Sequence, residues 1–155
     1  MTDYRPPSIV HRPSSTVPNK TMPELSDKLR AFLSERRFAV LATINPDGTP
    51  QQSTMWYELQ GDRIMMNTRV GRKKERNLKR DPRLSICIED EYDYVTLAGR
   101  AELDYDHDRS QATIHALAVR YDGEEDAAQM VRNTFSKQSR VTIYVTIESI
   151  DAHGI

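Results

Sequence analysis

The sequence predicts a mainly β protein with helices, an α+β fold in which six antiparallel strands close into a small barrel. Three observations support this prediction. Six short segments are β-rich or alternate apolar and polar residues, which is typical of half-buried strands. Turns rich in Asn, Pro, Asp and Gly separate the early strands. Helical periodicity occurs only at the start, in the middle and before the last strand.

The chain of 155 residues predicts one domain, residues 23–155, after a Pro-rich arm at residues 1–22. We expect this arm to be extended or disordered, with packing across a partner subunit as the alternative. No segment has the length of a transmembrane helix, and the N-terminus lacks the apolar core of a signal peptide. Because Cys87 is the only cysteine, no internal disulfide can form. These features predict a cytoplasmic protein without a membrane partner.

The first predicted elements are a helix and a three-stranded meander. Thr21-x-x-Glu24 matches a capping box, and apolar residues at helical spacing predict a helix that ends near Arg37. Two turns, NPDGTP and QGD, then join three β-rich segments at 38–44, 51–59 and 63–68.

A basic segment, two strands, two helices and a final strand complete the prediction. Pro82 ends the basic helix. The strands cover 83–90 and 94–103, and Gly99 marks an expected β-bulge in the second. The acidic link DGEED separates two amphipathic helices, with apolar faces formed by Ile114, Leu117, Ala118 and Tyr121 and by Ala127, Met130, Val131 and Phe135. The last strand covers 140–150.

The basic segment, residues 69–83, carries eight Lys or Arg and two acids in a chain of net charge −1. A solvated helix with i,i+4 ion pairs is one interpretation. Nucleic-acid binding is disfavoured, because the rest of the chain is acidic and no aromatic residues are interleaved with the basic ones. The third interpretation is an anion site.

The anion site is favoured by what surrounds the start of this helix. Asn67 and Thr68 end the preceding strand, so their side chains and the first free amides of the helix converge. Arg72 lies in the first turn, and Lys74 and Asn77 are three residues apart on one face. This arrangement predicts a site for one phosphate.

The second predicted strand is polar for a barrel interior. Gln51, Ser53 and Thr54 suggest a strand that hydrogen-bonds the rim of a planar heterocycle, with Met55 and Trp56 offering apolar surface. An edge strand with a solvated face is the alternative.

Conventional catalytic constellations are missing from the sequence. The four histidines lack metal-ligand spacing, and there is no P-loop or GxGxxG motif. Cys87 alternates with core residues and is more typical of a small buried side chain than of a nucleophile. The sequence therefore predicts no metal site and assigns no catalytic residue. The chemistry of an enzyme of this kind would belong to a bound cofactor.

Three segments carry a family resemblance that extends from about Leu25 to Ile150. They are LATINPDGTPQ, the K-x-x-N-L-x-x-D-P-R run from Lys74 to Arg83, and LAGRA at 97–101. In these segments and in the order of elements, the sequence resembles the flavin/deazaflavin oxidoreductases of the pyridoxamine 5′-phosphate oxidase-like split-barrel superfamily.

The resemblance implies a six-stranded split β-barrel of the FMN-binding type and a homodimer with two cofactor sites at its interface. It implies that the cofactor phosphate is held by Asn67, Thr68, Arg72, Lys74 and Asn77. It also implies that the cofactor ring lies along Gln51, Ser53 and Thr54, with Tyr94 reaching in from the other subunit.

The Lys74–Arg83 run is more similar to the subgroup that uses coenzyme F420 than to the FMN subgroup. Arg69, Lys73 and Arg76 exceed what one phosphate needs and would suit the oligoglutamate tail of F420. We therefore expect hydride transfer between reduced F420 and an unsaturated organic acceptor. An FMN-binding reductase or flavin-binding protein is the first alternative, and a non-catalytic module that binds an acidic partner through the basic helix is the second. Oxidation of pyridoxamine 5′-phosphate is not expected, because no Arg-containing, Pro-rich segment follows Ile150.

Overall fold

The computed structural model describes residues 21–155, so all but the last two residues of the predicted arm lie outside it. The helices are α1 Asp27–Ser34, α2 Lys73–Arg80, α3 His107–Asp122 and α4 Glu124–Asn133, and a 3₁₀ turn covers Phe135–Lys137. The strands are β1 Ala39–Ile44, β2 Pro50–Met55, β3 Glu58–Gln60, β4 Arg63–Arg69, β5 Arg83–Asp90, β6 Asp93–Asp104 and β7 Arg140–His153.

The strands form one antiparallel sheet in the order β2-β1-β5-β6-β7-β4-β3. The predicted count of six strands was wrong, because the segment at 51–59 forms two strands. The break falls at Tyr57, whose amide donates to the Tyr121 hydroxyl and whose carbonyl accepts from Arg120. Since these backbone groups bond to side chains, the strand cannot continue through them.

β2 and β3 lie at opposite edges of the sheet, although only Trp56 and Tyr57 separate them in the chain. Three residues span at most roughly 10 Å, so the sheet must curl until its two edges approach each other. The edges are not hydrogen-bonded to each other, so the sheet is not closed. This open, curled sheet is consistent with a split barrel. Its apolar core includes Leu41, Ile64, Ile86, Leu97 and Ile143, all fully buried.

Helix α1 is shorter at both ends than the sequence predicts. Its N-cap is Ser26, whose Oγ accepts from the Leu29 amide at 3.2 Å, so Thr21 and Glu24 do not form the predicted capping box. It ends at Ser34 instead of near Arg37. The Arg37 guanidinium donates to the Phe32 carbonyl at 2.6 Å, which satisfies one of the free carbonyls at the helix end.

The two middle helices are joined by one residue, not by the whole acidic link. Gly123, at φ 87°, is both the C-cap of α3 and the N-cap of α4, and the acids after it form the first turn of α4. The predicted apolar face of α3 is confirmed, with Ile114, Leu117, Ala118 and Tyr121 buried. In α4 only Ala127 is buried, and Phe135 lies beyond the helix in the 3₁₀ turn.

The predicted bulge in the sixth strand is confirmed. The register of β6 against β7 shifts between Ala98 and Gly99. A Cβ at Gly99 would lie 2.1 Å from the Thr146 carbonyl oxygen, so only glycine fits. Cys87 lies half-buried on the outward face of β5, not in the core. Among residues 21–155, no helix has the length and apolar composition needed to cross a membrane.

Candidate functional site

A cleft of about 400 Å³ opens where the end of β4, the start of α2 and the start of β7 meet. Four of the five residues that the family resemblance assigns to the cofactor phosphate line it: Asn67, Thr68, Arg72 and Lys74. Arg69, Phe135, Gln138 and Arg140 also line it. The β4–β7 pairing explains this arrangement, because the register places Arg69 opposite Arg140 and Asn67 opposite Thr142.

The cleft concentrates positive charge without neutralising it. Within residues 21–155, none of its cations Arg69, Arg72, Lys74 and Arg140 forms a salt bridge. Burial lowers the pKa of Lys74, and the neighbouring Arg72 and Arg140 lower it further. Burial, then Arg72 and Arg69, lowers the pKa of Arg140 to about 10. Bringing these cations together is unfavourable unless an anion joins them.

Arg140 is a cleft residue that sequence reasoning missed. It begins β7, and its guanidinium donates from Nε to Asn67 Oδ1 at 2.8 Å and from Nη1 to Gln138 Oε1 at 2.6 Å. Phe135 packs against it, with the ring centre 4.9 Å from the guanidinium carbon. In the sequence, this arginine is a single charge before an apolar strand, far from the basic helix. Only the pairing of β4 with β7 could have located it.

Asn67 is buried, and its amide is already committed to protein groups. Its Nδ2 donates to the Ser110 carbonyl at 2.9 Å and to Thr113 Oγ1 at 2.9 Å, while its Oδ1 accepts from Arg140. The side chain therefore joins β4 to α3 and β7 beneath the cleft. Thr68, also buried, lies beside it at the wall of the cleft.

The start of α2 is held in place by Glu75. Arg72 occupies the N-cap position, after Gly71 at φ 90°. Glu75 is buried, and its Oε2 accepts from the Gly71 amide at 3.2 Å. This bond fixes the turn from which Arg72 and Lys74 reach the cleft.

Asn77 is not brought to the cleft. Its Nδ2 donates to Thr43 Oγ1 and to Asn45 Oδ1, both at 3.0 Å, so it anchors α2 on β1 and on the turn after it. The expectation that Lys74 and Asn77 share one site does not match this geometry, because Lys74 lines the cleft while the Asn77 amide bonds to the β1 side.

The predicted ring-binding residues on β2 divide between its two faces. Thr54 is exposed on the outward face, whereas Gln51 and Ser53 point the other way, as strand alternation requires. Gln51 Oε1 accepts from Thr43 Oγ1 at 3.1 Å. Ser53 Oγ is buried and has no hydrogen-bond partner in the described part of the chain.

A second, largely apolar cavity of about 270 Å³ adjoins the cationic cleft. The two share Met55, Asn67, Phe135 and Arg140. The other lining residues are Thr54, Trp56, Ile114 and Leu117. Trp56 is stacked on Tyr121, with ring centres 5.1 Å apart and an angle of 11° between the rings. Together the two cavities form an elongated cleft with a cationic end and an aromatic end.

Tyr94 lies outside this cleft in the single chain. It is near the start of β6, partly exposed, with its ring stacked on His153 at 5.3 Å. Its predicted contribution to the site of a second subunit stays a prediction.

The family assignment follows from a sequence match that covers most of the chain. Residues 25–154 match the sequence model of the family described as pyridoxamine 5′-phosphate oxidase. The chain belongs to this family. Membership in the pyridoxamine 5′-phosphate oxidase-like superfamily makes it a relative of flavin-binding oxidoreductases, and FMN is the flavin that this family binds.

Several solved structures have the same fold as this chain. An F420 reductase is 28% identical, with a TM-score of 0.65 over 79% of this chain and 94% of the other. A conserved hypothetical protein from Mycobacterium tuberculosis is 27% identical, with a TM-score of 0.71 over 84% of this chain and 85% of the other. General Stress Protein 26 from Bacillus anthracis, at 17% identity and a TM-score of 0.60 over 81% and 90%, shows the fold alone.

Proposed function

We propose that this family member is an F420-dependent oxidoreductase that transfers a hydride between the reduced deazaflavin and an unsaturated organic acceptor. The observation that carries the proposal is the elongated cleft, whose cationic end forms no salt bridge with a carboxylate of residues 21–155 while its other end is aromatic. A ligand with a phosphate and a planar ring complements both ends.

The chemistry of the lining residues fits such a cofactor. Arg72 and Lys74 would hold the phosphate, and Thr68 at the end of β4 lies beside them. Trp56 and Met55 offer apolar surface for a ring.

When bound, a deazaflavin supplies the hydride from its C5 carbon, and the residues of this chain bind and orient it. Trp56 and Phe135 line the aromatic end of the cleft, where they would pack against the bound ring. Orientation of ring and acceptor is the main contribution that we assign to the protein, and no side chain is assigned as a proton donor.

We favour F420 over FMN as the cofactor because the cleft and its surroundings carry more positive charge than one phosphate needs. Arg69 and Arg72 line the cleft, and Lys73 and Arg76 lie exposed nearby on α2. A tail of several carboxylates would use these charges, whereas FMN ends at its phosphate. The 28% identical F420 reductase is consistent with this preference. FMN remains the second candidate, because the same cleft accommodates a phosphate and a ring and the family binds FMN.

A homodimer is part of the proposal. On the outward face of the β2-β1-β5-β6 part of the sheet, Val40 is 37% exposed, and Phe38, which immediately precedes β1, is 59% exposed. Ala42, Ser85 and Cys87 continue this face with small uncharged side chains. A second copy of the chain would cover it, as isologous dimers cover a self-complementary patch. The partner's Tyr94 could then reach the cofactor.

Paired fluorescence titrations with F420 and with FMN, at low and at physiological salt, test the proposal. Tight, saturable F420 binding and weak FMN binding are expected, and acceptor screening would follow. A preference for FMN would instead indicate an FMN-binding reductase or flavin-binding protein. Saturable binding of neither cofactor would contradict the proposal and favour a module that binds an acidic partner.

A further inference from the structure

We infer that Arg140 is an anion-binding residue of the cleft and that Asn67 acts as a positioning residue that aims its guanidinium. This inference rests on the proposed function for the identity of the cofactor, but not for the existence of an anion site. It changes the expected role of Asn67, which then acts through Arg140 and not by direct contact with a phosphate.

The first argument is that the guanidinium of Arg140 is oriented but not saturated. Arginine has five N–H donors. In this structure Nε donates to Asn67 and one Nη1 hydrogen donates to Gln138, while Nη2 has no hydrogen-bond partner in the described residues. Three donors therefore remain for a ligand. Since Arg140 lines both halves of the cleft, a ligand bound there can reach it.

The second argument is that its surroundings are rigid. The Asn67 amide is fixed by the Ser110 carbonyl and by Thr113, and Thr113 is hydrogen-bonded in turn to Thr142 at 2.7 Å. Asn67, Ser110 and Thr142 are all buried. A network that is buried and satisfied holds its members in one arrangement, so Arg140 does not need to become ordered when a ligand binds.

The third argument is electrostatic. A structural arginine in a partly buried site usually faces a carboxylate, but the charged groups that line this cleft with Arg140 are Arg69, Arg72 and Lys74. No carboxylate of the described chain forms a salt bridge with Arg140. These clustered cations repel one another in the ligand-free protein, whereas a bound anion would be attracted to all of them. A planar guanidinium with adjacent free donors matches two oxygens of a phosphoryl or carboxylate group.

The experiment compares the wild-type protein with Arg140→Gln, Asn67→Ala and the control Arg100→Gln. Arg100 carries the same charge, but it lies on β6 opposite Thr146 of β7. Thr146 is six residues along the strand from Arg140, which places Arg100 roughly 20 Å from the cleft arginine. Calorimetric titration with inorganic phosphate, FMN and F420 gives the dissociation constants, and circular dichroism melting without ligand checks the fold.

Arg140→Gln should weaken phosphate binding about 10- to 100-fold, the loss typical of one charge-assisted hydrogen bond, while Arg100→Gln stays near wild type. Asn67→Ala should weaken binding less. In the double variant Asn67→Ala/Arg140→Gln the two losses of affinity should be less than additive, because Asn67 acts only by orienting the guanidinium that the second change removes. Unchanged phosphate affinity in a folded Arg140→Gln protein would overturn the inference.

A measurement on the wild-type protein covers the case in which Arg140→Gln does not fold. Phenylglyoxal modifies accessible guanidinium groups, and peptide mass spectrometry locates the modified residues. Inorganic phosphate should protect Arg140 and leave Arg100 unprotected. Equal modification of Arg140 with and without phosphate would overturn the inference. Arg140-dependent binding of phosphate with no binding of FMN or F420 would retain the inference and reject the proposed function, whereas absence of any binding by the wild-type protein would reject both.

Discussion

The Tyr105 hydroxyl donates a 2.5 Å hydrogen bond to Glu75 Oε1. Since Glu75 Oε2 accepts from the Gly71 amide, one buried carboxylate links the end of β6 to the turn that begins α2. Burial raises the pKa of Tyr105 to about 12, and the hydrogen bond to Glu75 adds to the rise. The basic helix is thus held at its start by an acid, although its sequence is dominated by cations.

Tyr105→Phe tests this link. Loss of the hydroxyl should lower the free energy of unfolding by about 1–2 kcal/mol, because the Glu75 carboxylate loses a donor in a partly buried site. Urea denaturation followed by circular dichroism measures the change. Tyr92→Phe is the control, since Tyr92 is 87% exposed. Equal stability of Tyr105→Phe and wild type would show that the link contributes little.

Lys74→Ala should weaken cofactor binding without unfolding the protein. Lys74 lines the cleft and forms no salt bridge within residues 21–155, so its removal deletes an anion contact and relieves repulsion with Arg72 and Arg140. We expect a loss of about 1.5–3 kcal/mol in binding free energy. Lys79→Ala, in the exposed last turn of the same helix, should bind like wild type. An unchanged dissociation constant for Lys74→Ala would refute the phosphate role of this lysine.

Anion binding should depend on pH through Lys74. Its pKa in the ligand-free protein is lowered from 10.5, so the folded protein releases this proton at a lower pH than the unfolded chain does. As the pH rises from neutral towards 10.5, phosphate affinity should therefore fall, because Lys74 loses its charge and Arg140, with its pKa lowered to about 10, loses part of its own near the top of the interval. Over the same interval the ligand-free protein gains stability from this group, since the disfavoured charge disappears.

Lys74→Arg is the matched control for this pH dependence. An arginine keeps its charge across the interval, so the decline of phosphate affinity should be much weaker in this variant. Calorimetric titrations at several pH values compare the two proteins. Identical declines in both would assign the dependence to another group in the cleft.

Gly99→Ala should be strongly destabilising. The new Cβ would lie 2.1 Å from the Thr146 carbonyl oxygen, which belongs to the backbone and cannot rotate away. We expect a loss of about 3 kcal/mol or more in the free energy of unfolding, because β6 and β7 must separate locally. Ser149→Ala, opposite Ala98 beside the bulge, should change stability far less. Chemical denaturation measures both variants, and a wild-type midpoint for Gly99→Ala would contradict the close approach.

Val40→Asp should convert the proposed homodimer to a monomer. A carboxylate on the outward face of β1 would be buried without a partner charge when two copies associate. Val70→Asp is a closely matched control, because Val70 is 38% exposed and Val40 is 37% exposed. Analytical ultracentrifugation gives the masses. A monomeric wild-type protein would contradict the dimer before either variant is needed.

Local patterns were sufficient to predict most of the elements. The alternation in 83–90 and 94–103 and the glycine at the bulge are properties of short segments, and the structure reproduces them. The strand break at Tyr57 was not predictable in this way, because it depends on side chains of Arg120 and Tyr121 that are more than sixty residues distant.

The same contrast between local patterns and long-range contacts applies to the candidate site. Arg72, Lys74 and Thr68 are close in sequence to the strand–helix junction, and they lie together in the cleft. Arg140 is brought there only by the pairing of β4 with β7. Asn77 satisfies the helical spacing from Lys74, but hydrogen bonds to Thr43 and Asn45 commit its amide elsewhere.

The position of β7 between β6 and β4 has a consequence for the order in which the protein can assemble during translation. While the ribosome is still upstream of Arg140, the β3–β4 hairpin has no strand to join it to β6, and both β4 and β6 expose unpaired edges. Synthesis of β7 closes that gap and supplies Arg140 in the same step. A nascent chain that stops short of β7 should therefore be unable to capture a phosphate and should be the species most exposed to aggregation.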